Sequence, residues 1–191
     1  MSTPANFFPL PPDLPVPEDD GAADHLLGMK LPDVSLLATS GEWVNPAKIS
    51  GRVVVYIYPR TGQPGVELPQ GWDEIPGARG CTPQSCAFRD HYAELQALNA
   101  SVFGLSTQDS DYQREAAERL HLPFPLLSDV DLAWGSALRL PTFEVDGMIL
   151  LKRVTLIASS ARIEKVFYPV FPPDQNAADV IAWLERNPIH A

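Results

Sequence analysis

Val53-Val54-Val55-Tyr56-Ile57-Tyr58 is an unbroken run of β-branched and aromatic side chains. A strand with one wet face alternates apolar and polar residues. A run apolar at both parities predicts a strand buried on both faces, and such strands belong to α/β sheets covered by helices on either side. Pro59 ends the run, because its ring removes a ladder donor. Downstream the strand and helix signals alternate. Residues 102–105 and 124–127 read as strands. One helix runs from a Ser110 cap to about Leu120, and another from an Asp129 cap to about Leu138. Residues 154–158 and 163–167 read as two strands joined by a Ser159-Ser160 turn. A helix from Asn176 to Arg186 closes the chain, with Val180, Ile181 and Leu184 facing in. Upstream, residues 34–38 and 42–44 flank Thr39-Ser40-Gly41, a hairpin signal. At 191 residues and 45% hydrophobic, the chain can bury one sizeable core.

Two segments break this pattern. Residues 1–28 carry Pro4, Pro9, Pro11, Pro12, Pro15 and Pro17, which exclude a regular helix or a central strand. This stretch is either a disordered tail or an extended arm lying on a domain that spans 29–191. Residues 61–80 hold five glycines, three prolines and Trp72. A structureless connection of that length is uncommon inside a compact domain and is usually functional or disordered.

The net charge of −10 disfavours phosphate backbones, so no nucleic-acid partner is expected. No apolar run is long enough to predict a membrane span, and the start of the chain lacks a signal-peptide pattern. A cytoplasmic location is expected. In a reducing compartment a cysteine pair is catalytic or metal-binding more often than structural.

Both cysteines lie in residues 80–90, where residues 61–80 end. Pro83 suits a first helical turn and Thr82 can cap it. Phe88, Tyr92, Leu95 and Leu98 then continue at helical spacing. Cys81 thus falls at or just before a helix N-terminus, where free N–H groups and the macrodipole favour a thiolate. Arg79 adds positive charge nearby. Five helical residues place the Cα atoms of Cys81 and Cys86 roughly 8–9 Å apart, beyond the roughly 7 Å a disulfide tolerates. The pair reads as a dithiol that must move to close. His25, His91, His121 and His190 show no ligand spacing, so no metal is expected. His91 and Gln84 read as solvated helix residues, and Trp134 as core. Arg89 reads as a partner of Asp90 or an anchor for the helix.

Gly80-Cys81-Thr82, Cys86 and Arg89-Asp90, after the strand and Pro59, together resemble the peroxiredoxins, specifically the peroxiredoxin Q (bacterioferritin comigratory protein) group. Leu31-Pro32-Asp33, Leu126-Leu127-Ser128-Asp129 and Arg153-Val154-Thr155-Leu156-Ile157 are similar to further family segments in the same order. The resemblance implies a thioredoxin-like α/β fold, a central mixed β-sheet flanked by helices. To this the chain adds an N-terminal extension and an inserted loop before the active-site helix. It implies that Cys81 is the peroxidatic cysteine, Cys86 the intrachain resolving cysteine, and Arg153 the arginine facing the peroxidatic sulfur. The family threonine three residues before the cysteine is Ala78 here, and the proline seven before is Glu74. Thr61, beyond the inserted segment, is the candidate to fold back and supply the hydroxyl.

By the same resemblance, hydrogen peroxide and organic hydroperoxides are the substrates. A thioredoxin- or glutaredoxin-like dithiol is the reductant, no cofactor is needed, and the chain is a monomer or weak homodimer. The displaced threonine leaves a rival open: a non-enzymatic redox sensor or adaptor built on the same dithiol.

Overall fold

The computed structural model describes residues 10–189. Nine strands and five α-helices are present in them. Seven strands form one mixed sheet in the order β2-β1-β5-β4-β3-β8-β9. They are β1 (Leu36–Ala38), β2 (Trp43–Val44), β3 (Arg52–Ile57), β4 (Ala100–Ser106), β5 (Leu126–Ser128), β8 (Val154–Ser159) and β9 (Arg162–Phe167). β3, β4 and β5 are parallel; β1, β2, β8 and β9 join antiparallel.

β3 is buried at every residue, as its sequence requires. Its alternate side chains serve two cores. Val53, Val55 and Ile57 pack with Leu26, Leu105, Trp134 and Leu138 on one face. Val54 and Tyr56, with Tyr58 just past the strand, pack with Phe88, Leu95, Val180 and Leu184 on the other. The second face carries the helices α1 (Cys81–Asp90), α2 (Tyr92–Ala97) and α5 (Asn176–Arg186). α4 (Ala133–Ala137) brings Trp134 to the first face, fully buried as expected. α3 (Ser110–Arg119) lies beside β5.

Several expectations need correction. The cap of α3 is Asp109, whose carboxylate accepts from the Tyr112 N–H, and not Ser110. Asp129 accepts from Trp134 N and Gly135 N, but the residue at the helix boundary is Leu132, so the carboxylate caps from upstream. The helix expected to run through residue 98 breaks at His91 into α1 and α2. A hairpin went unread: β6 (Thr142–Val145) pairs with β7 (Met148–Leu151). Its turn, Asp146-Gly147, has φ of 48° and 71°, the geometry for which that dipeptide is preferred.

Residues 61–80 are packed and tied down. Trp72 and Ala78 are buried against Val145 and Leu150 of that hairpin, with Ile75, Phe143 and Met148 around them. Gln70 N donates to Asp146, and Arg119 donates to the Gly62 carbonyl. The described part of the N-terminal stretch is an extended arm on the body. Ala23 and Leu26 enter the main core, so the packed body begins upstream of residue 29.

Candidate active site

Register brings the site to one end of the sheet. β8 runs antiparallel to β3 with Val154 opposite Ile57, so Arg153 sits beside the C-terminal end of β3. α1 starts at that end, where open α/β sheets hold their ligands. Gly80 precedes the helix with φ 113°. A Cβ there would lie 2.3 Å from Pro173 Cγ and 3.1 Å from Leu10 Cδ2, so only glycine lets the chain turn in this space. Thr82 and Pro83 are helical residues, and Thr82 is not the cap. Gln84 N donates to Gly80 O, the first bond of the helix, so the Cys81 and Thr82 amides lie outside the ladder. Gly80→Ala should lower stability by about 1–3 kcal/mol in urea unfolding. Gly28→Ala, also at positive φ but with open space around it, should cost less.

The cation at the sulfur is Arg153. Its Nη2 donates to Cys81 Sγ at 3.2 Å. The same nitrogen reaches the carbonyls of Gly77, Ala78 and Arg79 at 3.2–3.3 Å, and Nη1 donates to Gln84 Oε1. Arg153 Nε is buried and has no partner among the described residues. Cys81 is 4% exposed, and its thiol lies 3.8 Å from the Ala78 carbonyl. A cavity of about 430 Å³ adjoins Arg153, walled by Val16, Pro17, Ile75, Gly77 and Phe143.

Gln84 is not solvated. It is fully buried, and its amide donates to Asn176 Oδ1, which also accepts from Thr155. Gln84 therefore joins Arg153 to the start of α5, a role that sequence reading missed. Its signal was spacing: Cys81, Gln84, Ser85 and Phe88 fall at i, i+3, i+4 and i+7, one inward helix face. Tyr56 beneath that face donates to Ser85 and stacks on Phe88, fixing α1 to the sheet.

Two other expectations change, and two hold. Arg79 turns outward to Asp73, so it is not the cation at the sulfur. Thr61 is buried, but its hydroxyl and amide both donate to Gln108; among the described residues no hydrogen bond joins it to Cys81. Arg89 does both things expected of it, pairing with Asp90 and bonding the Leu120 carbonyl. His91 is a surface residue paired with Glu94.

Cys86 is also free and buried, on the same helix. Burial pushes its thiol up, with Asp90 adding to the effect and Arg89 and Arg119 opposing it. The two sulfurs thus sit in different surroundings: one against a guanidinium, the other desolvated and held as a thiol.

The Redoxin family model matches residues 26–181. The chain belongs to the Redoxin family. Within it, the chain falls in the peroxiredoxin Q and bacterioferritin comigratory protein group of the thioredoxin superfamily. It is 28% identical over 179 residues to the chloroplastic peroxiredoxin Q of Sedum lineare, covering 91% of this chain and 86% of that protein. It is 29% identical over 163 residues to the chloroplastic peroxiredoxin Q of Oryza sativa subsp. japonica, covering 83% of this chain and 66% of that protein. The chain thus spans about two thirds of the rice relative's length. Peroxidoxin BcpB from Mycobacterium tuberculosis superposes with a TM-score of 0.69 at 24% identity, over 85% of this chain and 98% of that one. The thioredoxin-like fold is therefore shared over almost the whole of that neighbour.

Proposed function

We propose that this member of the family is a thiol-dependent peroxidase, with Cys81 as the peroxidatic and Cys86 as the resolving cysteine. The observation that carries the reading is the Arg153 guanidinium 3.2 Å from Cys81 Sγ at the start of α1. The guanidinium and the unbonded helix amides place positive charge around the reacting atoms. The Cys81 thiolate attacks one peroxide oxygen and the O–O bond breaks. The other oxygen leaves as hydroxide or alkoxide and is protonated to water or alcohol. Cys81 is left as a sulfenic acid. Arg153 stabilises the charge as it moves onto the leaving oxygen.

The first turn of α1 then unwinds. The Cys86 thiol attacks the sulfenic sulfur, an S–S bond forms, and water leaves. A thioredoxin- or glutaredoxin-like dithiol reduces the disulfide by exchange. A reducing compartment such as the cytoplasm supplies such a dithiol. The sensor or adaptor reading is not favoured, since the relatives are peroxiredoxins by name.

Cys86→Ser tests the division of labour. One equivalent of hydrogen peroxide should be consumed within about twofold of the normal rate, and thioredoxin-coupled turnover should then fall at least about tenfold. Full steady-state turnover would remove Cys86 from the cycle.

A further inference from the structure

The described N-terminal arm walls the cavity through Val16 and Pro17, and it also lies against the segment that must move. Leu10 meets Gly80, with its Cδ2 3.1 Å from where a Cβ would stand. Pro17 lies similarly close to Gly77, 3.5 Å from the equivalent point. Between these two contacts run the backbone carbonyls that Arg153 holds. Residues 77–80 are therefore held both by the guanidinium and by the apolar arm. The arm is pinned at Asp20, which accepts from Tyr168 Oη at 2.7 Å and from Lys152 Nζ at 3.0 Å. Lys152 immediately precedes Arg153. Those two donors hold the Asp20 carboxyl far below the usual carboxylate range, so it stays ionised across neutral pH.

We infer that the arm, through Leu10, Pro17 and the Asp20 pin, is a strap that sets the rate of disulfide closure. These are positioning residues, acting through the path of Cys81 and not on peroxide. The inference rests on the peroxidase reading for its consequence. Closure requires the first turn of α1 to open, because the two cysteines are five helical residues apart. Opening shifts Gly80 and drags residues 77–79 from under the strap. A pinned strap prolongs the life of the Cys81 sulfenic acid. A second peroxide can then transfer an oxygen to that sulfur, giving sulfinic acid and water.

The test uses the full chain carrying Asp20→Ala or Leu10→Ala; neither side chain bonds Cys81 or Arg153 among the described residues. Hydrogen exchange in the reduced protein reads the strap without any peroxide. Amides of residues 84–86 should exchange about tenfold faster in Asp20→Ala, the effect of losing hydrogen bonds to a charged group, while those of α3 stay unchanged. After a peroxide pulse, disulfide should form about tenfold faster in Asp20→Ala and also faster in Leu10→Ala. Sulfenic acid formation should stay within about twofold, and the sulfinic fraction should fall. Unchanged exchange at residues 84–86 together with unchanged closure would overturn the strap. If peroxide failed to oxidise Cys81 even in the unaltered chain, the peroxidase reading would fall, and the exchange result would still judge the strap.

Discussion

Cys81→Ser should abolish peroxide turnover, by at least about 10⁴-fold, the scale on which losing a covalent nucleophile costs an enzyme. A serine hydroxyl stays neutral where a thiolate forms, and a neutral hydroxyl does not attack an O–O bond at a useful rate. The fold should survive. The sulfur's recorded polar contacts are the Arg153 donor and a long approach to the Ala78 carbonyl, and a smaller oxygen disturbs neither α1 nor the sheet. Nor can the remaining thiol stand in. Cys86 is 3% exposed, and burial holds it in the unreactive protonated form. Peroxide consumption in a thioredoxin-coupled assay, with circular dichroism as the check on folding, measures the outcome. Residual turnover above about 1% would mean that a different group is the nucleophile.

The parts of this site legible in the sequence are those governed by local rules. The apolar run of β3 could only be a doubly buried strand, and it is one. The thiol at a helix start follows from Gly80 and Pro83, since one frees the backbone to turn and the other suits the first turn. Asn176–Arg186 showed a helical stripe and is α5. The illegible parts depend on where distant residues meet. A helical stripe begun at Phe88 leaves Gln84 solvated; begun at Cys81, the same period points Gln84 inward. Its partners, Arg153 and Asn176, lie 69 and 92 positions away in sequence, and no local pattern reports them. Arg79 and Arg153 could each have been the cation at the sulfur. Tertiary register decides for Arg153, because β8 pairs with β3, while Asp73 draws Arg79 outward.

Residues 61–80 show a different limit. Their glycines and prolines gave no period, yet they fold onto the β6–β7 hairpin through Trp72. That hairpin did carry a signal, Asp146-Gly147 between two apolar-rich runs. Reading it would have supplied the surface that covers the inserted segment. Thr61 illustrates why a motif residue displaced by such an insertion cannot be assumed to return. Once Gln108 takes both its amide and its hydroxyl, the polar work at the sulfur is left to Arg153.

Arg153→Lys should therefore lower the rate constant for Cys81 oxidation about 10²–10³-fold, as loss of a positioned oxyanion donor does, although the charge is kept. One ammonium carries three donors on a flexible stem. It cannot reproduce the planar fork that reaches the sulfur, the Gln84 carbonyl and the carbonyls of residues 77–79 together. The change separates charge from geometry. If charge alone sustained catalysis, the lysine variant would oxidise within about threefold of the normal rate, and the fork would be only structural. If the fork matters, single-turnover oxidation by hydrogen peroxide slows while thioredoxin reduction of the preformed disulfide does not, because that exchange has no leaving peroxide oxygen to stabilise.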